Sequence, residues 1–160
     1  MDPQVVGGVD EGGRRVVLVR DILADPAVVW RGLTEPAGIA AWLGRYEGPR
    51  LGLGTRFTIW HDGLVPSSHT VVEWLPPTGL TMTWDFPDEA PSRVRIVVEA
   101  ASSGSKVVLE HEGVEDPVSY SAGWHVHLDF LAGFAEGRPR SFEQFWDDYE
   151  ELLQTRPRAP

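Results

Sequence analysis

The stretch DPAVVWRGLTEPAGIAAWL, residues 25 to 43, decides the fold. In each half an acidic residue stands directly before a proline, at Asp25–Pro26 and Glu35–Pro36. Proline is favoured at the first helical position. Asp25 suits the N-cap position before the first helix, and Thr34 or Glu35 takes that place before the second. The pattern therefore predicts two short helices in tandem.

Segments typical of β-strands lie on both sides of this helical pair. RRVVLVRDI (14 to 22), rich in β-branched residues, comes before it. Turn residues separate the segments that follow it, and these breaks suit hairpins and loops. These segments are GTRFTIWH (54 to 61), HTVVEWL (69 to 75), LTMTWDF (80 to 86), SRVRIVVEA (92 to 100) and KVVLEHE (106 to 112). We therefore expect a sheet of antiparallel strands.

The hydrophobic period changes from strand to helix after His111. In SYSAGWHVHLDFLAGFAEG an apolar residue recurs at i, i+4, i+7 and i+11, which predicts a helix over about Tyr120 to Ala135. The residues of this stripe are Trp124, Leu128, Leu131 and Ala135.

A further amphipathic helix is predicted over about residues 141 to 153. Ser141 and Gln144 have the spacing of a capping box, and the face opposite the apolar one is acidic. Its apolar face consists of Phe142, Phe145, Trp146, Tyr149, Leu152 and Leu153. So apolar a face is expected to pack on the body of the domain or across a homodimer interface.

Composition limits the classes of function. A chain of 160 residues with 42% hydrophobic residues suits a single domain, 1–160, with its core at about 14–136. The absence of cysteine excludes disulfides, thiolate catalysis and cysteine-ligated metals. A formal net charge of −10 disfavours nucleic acid as a partner, unless arginines such as Arg93 and Arg95 cluster. We find no membrane-span or signal-peptide pattern and expect a cytoplasmic protein.

The order of elements predicts an α+β helix-grip fold, in which a curved antiparallel sheet wraps a long C-terminal helix. The two short helices hold sheet and long helix apart at one end, so an internal cavity is expected. The sequence resembles the START/Bet v 1-like superfamily, within it the branch of activator of heat-shock-protein ATPase homologues. The resemblance rests on the helical pair, GTRF, VVEWLPPTGLTMTW, SKVVLEHEGV and GWHVHLDFL, and spans roughly residues 14 to 136.

The resemblance implies three alternatives for function. The first is binding of a small hydrophobic, aromatic or polycyclic ligand in the cavity, without catalysis. The second is an enzyme similar to polyketide aromatases and cyclases, with His111, Glu73 and Tyr120 as candidate catalytic residues. The third is a co-chaperone or other protein-interaction module. Fold alone cannot choose among them, although the absence of a catalytic signature favours the first. No cofactor is expected.

Strand and helix periodicity selects the candidate ligand-binding residues. Residues of one strand parity face the same side of a sheet, and the helical stripe faces that side. Aromatic residues dominate the set, which suits a flat apolar ligand. The set comprises Trp42, Phe57, Ile59, His69, Val71, Met82, Trp84, Phe86, Leu109, His111, Trp124, His127, Leu128 and Leu131. A solid core is the alternative interpretation.

Periodicity leaves two alternatives open for each of the polar candidates His111 and Glu73. His111 shares the parity of Ser105, Val107 and Leu109, which places it near the pocket end, where it could orient a ligand or be satisfied by a neighbour. Glu73 faces the cavity if its parity partner His69 does, and otherwise lies in solvent.

The two histidines of GWHVHLDFL, His125 and His127, are not expected to bind a metal. Successive helical residues are about 100° apart, so these side chains diverge and cannot share an ion. His127 lies on the side of the apolar stripe and could border the pocket, but the favoured interpretation places both histidines partly exposed at the surface.

Overall fold

The computed structural model describes residues 14–61 and 65–155, and the elements follow the predicted order. The strands are β1 (Arg15–Ile22), β2 (Arg45–Glu47), β3 (Arg56–Trp60), β4 (Pro66–Leu75), β5 (Gly79–Trp84), β6 (Ser92–Ala101) and β7 (Gly104–Glu112). The helices are α1 (Pro26–Thr34), α2 (Pro36–Trp42), α3 (Pro117–Ala135) and α4 (Phe145–Thr155). Within the described ranges no helix is long and apolar enough to cross a membrane.

The seven strands form one antiparallel sheet in the order β1-β7-β6-β5-β4-β3-β2. Hairpin neighbours pair successively from β2 to β7, and β1 closes against β7, with Leu18 opposite Leu109. The sequence pattern missed β2, because its three residues are too few for an alternating signal. The antiparallel helix-grip fold that we predicted is confirmed.

The two short helices begin at their prolines, as expected. Asp25 occupies the N-cap position of α1, but its backbone carbonyl, not its side chain, accepts the bonds from the N–H groups of Val28 and Val29. Glu35 precedes Pro36 at the start of α2. The predicted positions are correct, while the side-chain capping bond of Asp25 is not formed.

The concave side of the sheet and α3 enclose the core. In β7 burial alternates, with Ser105, Val107, Leu109 and His111 all buried. Helix α3 begins at Pro117, three residues earlier than predicted, because the Asp116 carboxylate accepts a hydrogen bond from the Ser119 N–H.

The middle of the fold is filled by side chains. Among the described residues there, no space for a water molecule is left between Leu33, Ile39, Trp42, Leu43, Leu51, Phe57, Leu80, Met82 and Ile96. These side chains therefore leave no room for a ligand between them.

Helix α4 is preceded by a 3-10 turn, Phe142–Gln144. Ser141 accepts a bond from the Glu143 N–H at 3.3 Å, so the predicted capping box with Gln144 is wrong, because the first turn is too tight for it. The apolar face packs on α3: Phe142 and Phe145 contact Phe130, with ring centroids 5.0 and 5.8 Å away. Phe145 is buried, while Trp146 stays 46% exposed. The homodimer remains a prediction.

The outer face of the sheet alternates in charge. Arg93 lies opposite Glu112 and Arg95 opposite Glu110 across the β6–β7 pair. Arg15 on β1 forms an ion pair with Glu110 at 2.8 Å. Arginines and glutamates therefore neutralise one another on this face instead of forming a basic patch.

Candidate ligand-binding site

An open pocket of about 270 Å³ lies at one end of the fold, between the ends of β3 and β5, the first half of α3 and the start of α4. Its lining is mostly apolar. The residues that line it are His61, Val65, Trp84, Phe86, Glu89, Ser119, Tyr120, Gly123, Trp124, His127, Phe145, Trp146 and Tyr149.

Aromatic rings in edge and tilted contact form the walls. The ring centroids of Trp84 and Trp124 are 4.8 Å apart, with planes inclined by 61°. On the α4 side the ring of Phe145 lies 4.5 Å from that of His127. Such contacts are favourable beyond the burial of area, so the rings hold one another in place. The contacts between the rings therefore hold the pocket walls in fixed positions.

A short chain of hydrogen bonds borders the open side. The Trp84 Nε1–H donates to the Tyr120 hydroxyl at 3.2 Å, and that hydroxyl donates to Glu89 Oε1 at 2.5 Å. Burial, and then the hydrogen bond to the Glu89 carboxylate, raises the pKa of Tyr120 well above its ordinary value. Tyr120 thus stays protonated, and its hydroxyl proton is used in the hydrogen bond to Glu89.

His111 is buried behind the pocket wall and does not line it. Its Nδ1 accepts a hydrogen bond from the Trp124 Nε1–H at 2.9 Å, so its Nε2 carries the proton and donates to Ser92 Oγ at 2.7 Å. Burial lowers the pKa of His111 to about 3. Because both nitrogens are engaged, this histidine positions Trp124 and has no nitrogen left for a ligand.

His69 is likewise a buried, satisfied side chain. Its Nδ1–H donates to the Thr83 carbonyl at 3.0 Å, so Ser67 Oγ donates to its Nε2 at 2.7 Å. Ser67 Oγ also lies 2.9 Å from Nε2 of His61, which does line the pocket. Burial lowers the pKa of His69 to about 4. The polar connection between pocket and core therefore runs through His61 and Ser67.

The interpretation of His125 and His127 as surface residues is wrong for His127. His127 is 7% exposed, lines the pocket and donates its Nδ1–H to the Trp42 carbonyl at 2.6 Å. Helix periodicity could not show this, because the residues that cover His127 come from α2 and α4. His125 is half-buried, with Nε2 3.7 Å from an Asp129 oxygen one turn along α3.

Glu73 points away from the core, but a single inward–outward alternation does not describe the whole of β4. The strand has a bulge between Val71 and Glu73. His69 and Val71 are therefore buried, and beyond the bulge Trp74 packs inward, its ring 5.2 Å from that of Trp30. Glu73 is exposed and accepts a hydrogen bond from Thr81 Oγ1 at 3.0 Å. A strict period of two fails at a bulge, because one extra residue reverses the facing of the side chains.

The structure divides the predicted ligand-binding set into two groups. Trp84, Phe86, Trp124 and His127 line the pocket, as does the catalytic candidate Tyr120. The others are buried outside the lining: Trp42, Phe57, Ile59, His69, Val71, Met82, Leu109, His111, Leu128 and Leu131. The solid-core interpretation describes this second group.

Several lining residues were not among the predicted set. Phe145, Trp146 and Tyr149 come from α4, whose apolar face indicated packing but not against what. Glu89 lies in a loop, where no periodicity operates. Gly123 leaves open space because it has no side chain. Strand alternation and helical periodicity do not show which elements pack together, where a loop residue lies or where a glycine leaves space.

The described ranges, 14–61 and 65–155, contain no group of three or more His, Asp or Glu side chains that could hold a metal ion. The pocket therefore offers aromatic surface and a few polar atoms as its chemistry.

The sheet gripping α3, with the pocket at one end, is the architecture of the START/Bet v 1-like superfamily. The family model for Activator of Hsp90 ATPase homolog 1-like protein matches residues 23–136, and the chain belongs to this family. The match ends before α4, so one wall of the pocket lies outside it.

Solved structures with the same fold include CalU16 from Micromonospora echinospora. It is 25% identical, with a TM-score of 0.71, and the alignment covers 88% of this chain and 84% of CalU16. The Bordetella parapertussis protein encoded by gene BPP1335 is also 25% identical, with a TM-score of 0.68, covering 98% of this chain and 92% of that chain.

DynU16, a protein in the dynemicin biosynthetic locus, is 19% identical with a TM-score of 0.71. The alignment covers 79% of this chain and 49% of DynU16, and at this identity it shows the fold alone. The search of curated proteins gave no match.

Proposed function

We propose that this protein binds a small, flat, apolar molecule in the pocket between the sheet, α3 and α4. The observation that carries the proposal is the open pocket of about 270 Å³ whose walls are aromatic rings from three elements. Ligand sites are typically concave and mostly apolar, with a few polar groups that orient the ligand. Trp84, Trp124 and Phe145 provide the apolar walls here.

The size of the pocket indicates the size of the ligand. Ligand pockets commonly measure about 300 to 1,000 Å³, so this one, at about 270 Å³, lies just below that range. Because Trp146 is 46% exposed at its open side, part of a longer molecule could extend into solvent. We therefore expect two or three fused rings to occupy the pocket itself.

No observation favours the cyclase alternative. The three catalytic candidates do not converge: His111 is sealed behind Trp124, Glu73 lies on the outer face of the sheet, and Tyr120 alone borders the pocket. A general base must come within hydrogen-bond reach of the proton that it removes, and neither His111 nor Glu73 does so here. The protein-interaction alternative stays a prediction.

Gly123 provides a test of the binding site. It lies on α3 at the pocket, and a Cβ placed there would meet Tyr149 Cε2 at 3.9 Å, an ordinary contact. The side chain of Gly123→Leu would therefore extend into the pocket, while the helix gains a better helix former. We expect a hydrophobic fluorescent probe such as anilinonaphthalene sulfonate to bind at least about tenfold more weakly to this variant, a difference of about 1.4 kcal/mol.

The matched control is Gly123→Ala, which removes the same glycine but adds a single methyl group. It is expected to bind the probe as the wild type does, and both variants should melt no lower than the wild type. Equal probe affinity for wild type, Gly123→Ala and folded Gly123→Leu would show that binding does not occur in this pocket.

A further inference from the structure

Resting on the proposed function, we infer that the ligand carries a hydroxyl group on its aromatic ring and donates its proton to Nε2 of His127. The hydroxylated aromatic compounds, phenols and naphthols, are thus the ligand class. Three features of the pocket lead to this assignment.

The first feature is the tautomer of His127. The Trp42 carbonyl can only accept, so the 2.6 Å contact requires the proton to be on Nδ1. In a neutral imidazole Nε2 is then an acceptor. Burial lowers the pKa of His127 to about 3, so the ring stays neutral at ordinary pH. His127 therefore presents a permanent acceptor.

The second feature is that this acceptor is unused. Nε2 of His127 has no hydrogen-bond partner among the described residues, although the side chain is more than nine-tenths buried and lines the pocket. The two ring nitrogens point in nearly opposite directions, so Nε2 faces away from the Trp42 carbonyl. Nε2 is not among the fully buried side-chain atoms that lack a partner, so it lies open to the pocket, where a donating ligand can reach it.

The third feature is that neighbouring donors are already engaged. The indole N–H of Trp124 donates to His111, that of Trp84 donates to Tyr120, and the Tyr120 hydroxyl donates to Glu89. A ligand carbonyl or ether would find none of these three protons available. Beside these three engaged donors, Nε2 of His127 can receive a proton from a ligand, whereas none of the three can give one.

The experiment compares 2-naphthol with 2-methoxynaphthalene and naphthalene on the wild-type chain, by displacement of a pocket-bound fluorescent probe. Methylation of the hydroxyl keeps the ring and the oxygen but removes the donated proton. We expect 2-naphthol to bind about tenfold more tightly than 2-methoxynaphthalene, as a net hydrogen bond of this kind would give.

The variant His127→Asn isolates the acceptor. Its side-chain N–H can replace the Nδ1–H that bonds the Trp42 carbonyl, while no atom remains at the place of Nε2. In this variant the preference for 2-naphthol over 2-methoxynaphthalene should disappear, even where loss of the imidazole ring from the wall lowers the affinity for all three compounds. Circular dichroism should show a folded chain.

The outcomes separate the two proposals. Binding of all three compounds with equal affinity would overturn the hydroxyl assignment and leave the apolar site standing. A preference for 2-naphthol that persists in His127→Asn would also overturn it and would point to the Glu89 carboxylate as acceptor. Failure of every compound to bind would overturn both proposals.

Discussion

Lowering the pH from 7.5 to 5.5 is expected to reduce the free energy of unfolding by about 4 kcal/mol, because three buried histidines stay neutral in the folded chain. Burial lowers the pKa of His69 to about 4 and the pKa values of His111 and His127 to about 3. All three are less than one-tenth exposed.

The sign follows from which state binds protons. In the unfolded chain these histidines have their ordinary pKa of about 6.5 and take up protons below it, whereas the folded chain does not until about pH 4 to 3. Protonation therefore favours unfolding over the window from about 6.5 down to those values. Each histidine contributes at most about 1.4 kcal/mol per pH unit within it.

Urea unfolding at pH 7.5, 6.5 and 5.5 measures this loss. His127→Asn is the matched variant, because it removes one of the three titrations while keeping a donor to the Trp42 carbonyl. Its loss over the same range should be about two-thirds that of the wild type. A wild-type loss below about 1 kcal/mol would mean that these side chains protonate without unfolding the chain.

Gly38→Ala is expected to lower the free energy of unfolding by about 3 kcal/mol, or the melting temperature by roughly 10 °C. Helices α1 and α2 cross with Gly38 against Gly32, and a Cβ on Gly38 would lie 2.5 Å from Gly32 Cα and 2.6 Å from its carbonyl oxygen. Both obstacles are backbone atoms, so the helices must separate.

The control for this prediction is again Gly123→Ala. Both glycines lie within helices, so both substitutions gain about 1 kcal/mol of helix propensity, but a Cβ on Gly123 meets a side-chain atom at 3.9 Å. Thermal unfolding should therefore show Gly38→Ala below the wild type and Gly123→Ala at or above it. Equal melting temperatures for the two variants would mean that the helix crossing adjusts at little cost.

The sequence predicted the position of a pocket residue best where the periodicity of its own strand or helix sets the direction of the side chain. Trp84 was placed correctly by strand alternation, and Trp124 by the helical stripe. Alternation could not choose between the two alternatives for His111, since it shows that a side chain points inward but not that Trp124 stands between it and the cavity. For Glu73 alternation left both orientations open, and a bulge between Val71 and Glu73 interrupts the period.

The order of the elements other than β2, the antiparallel pairing, and the core-facing side of the regular strands and of α3 all follow from the sequence. These depend on local periodicity and on the two proline-initiated helices, so they can be read from neighbours in the chain.

The tertiary structure alone decided where the open space lies and which polar atoms border it. The pocket forms where α4 meets α3 and the end of the sheet, and a residue distant in sequence, Trp42, determines the tautomer of His127. Packing between elements far apart in the chain creates both the space and the unused acceptor, and no local pattern encodes a contact of that range.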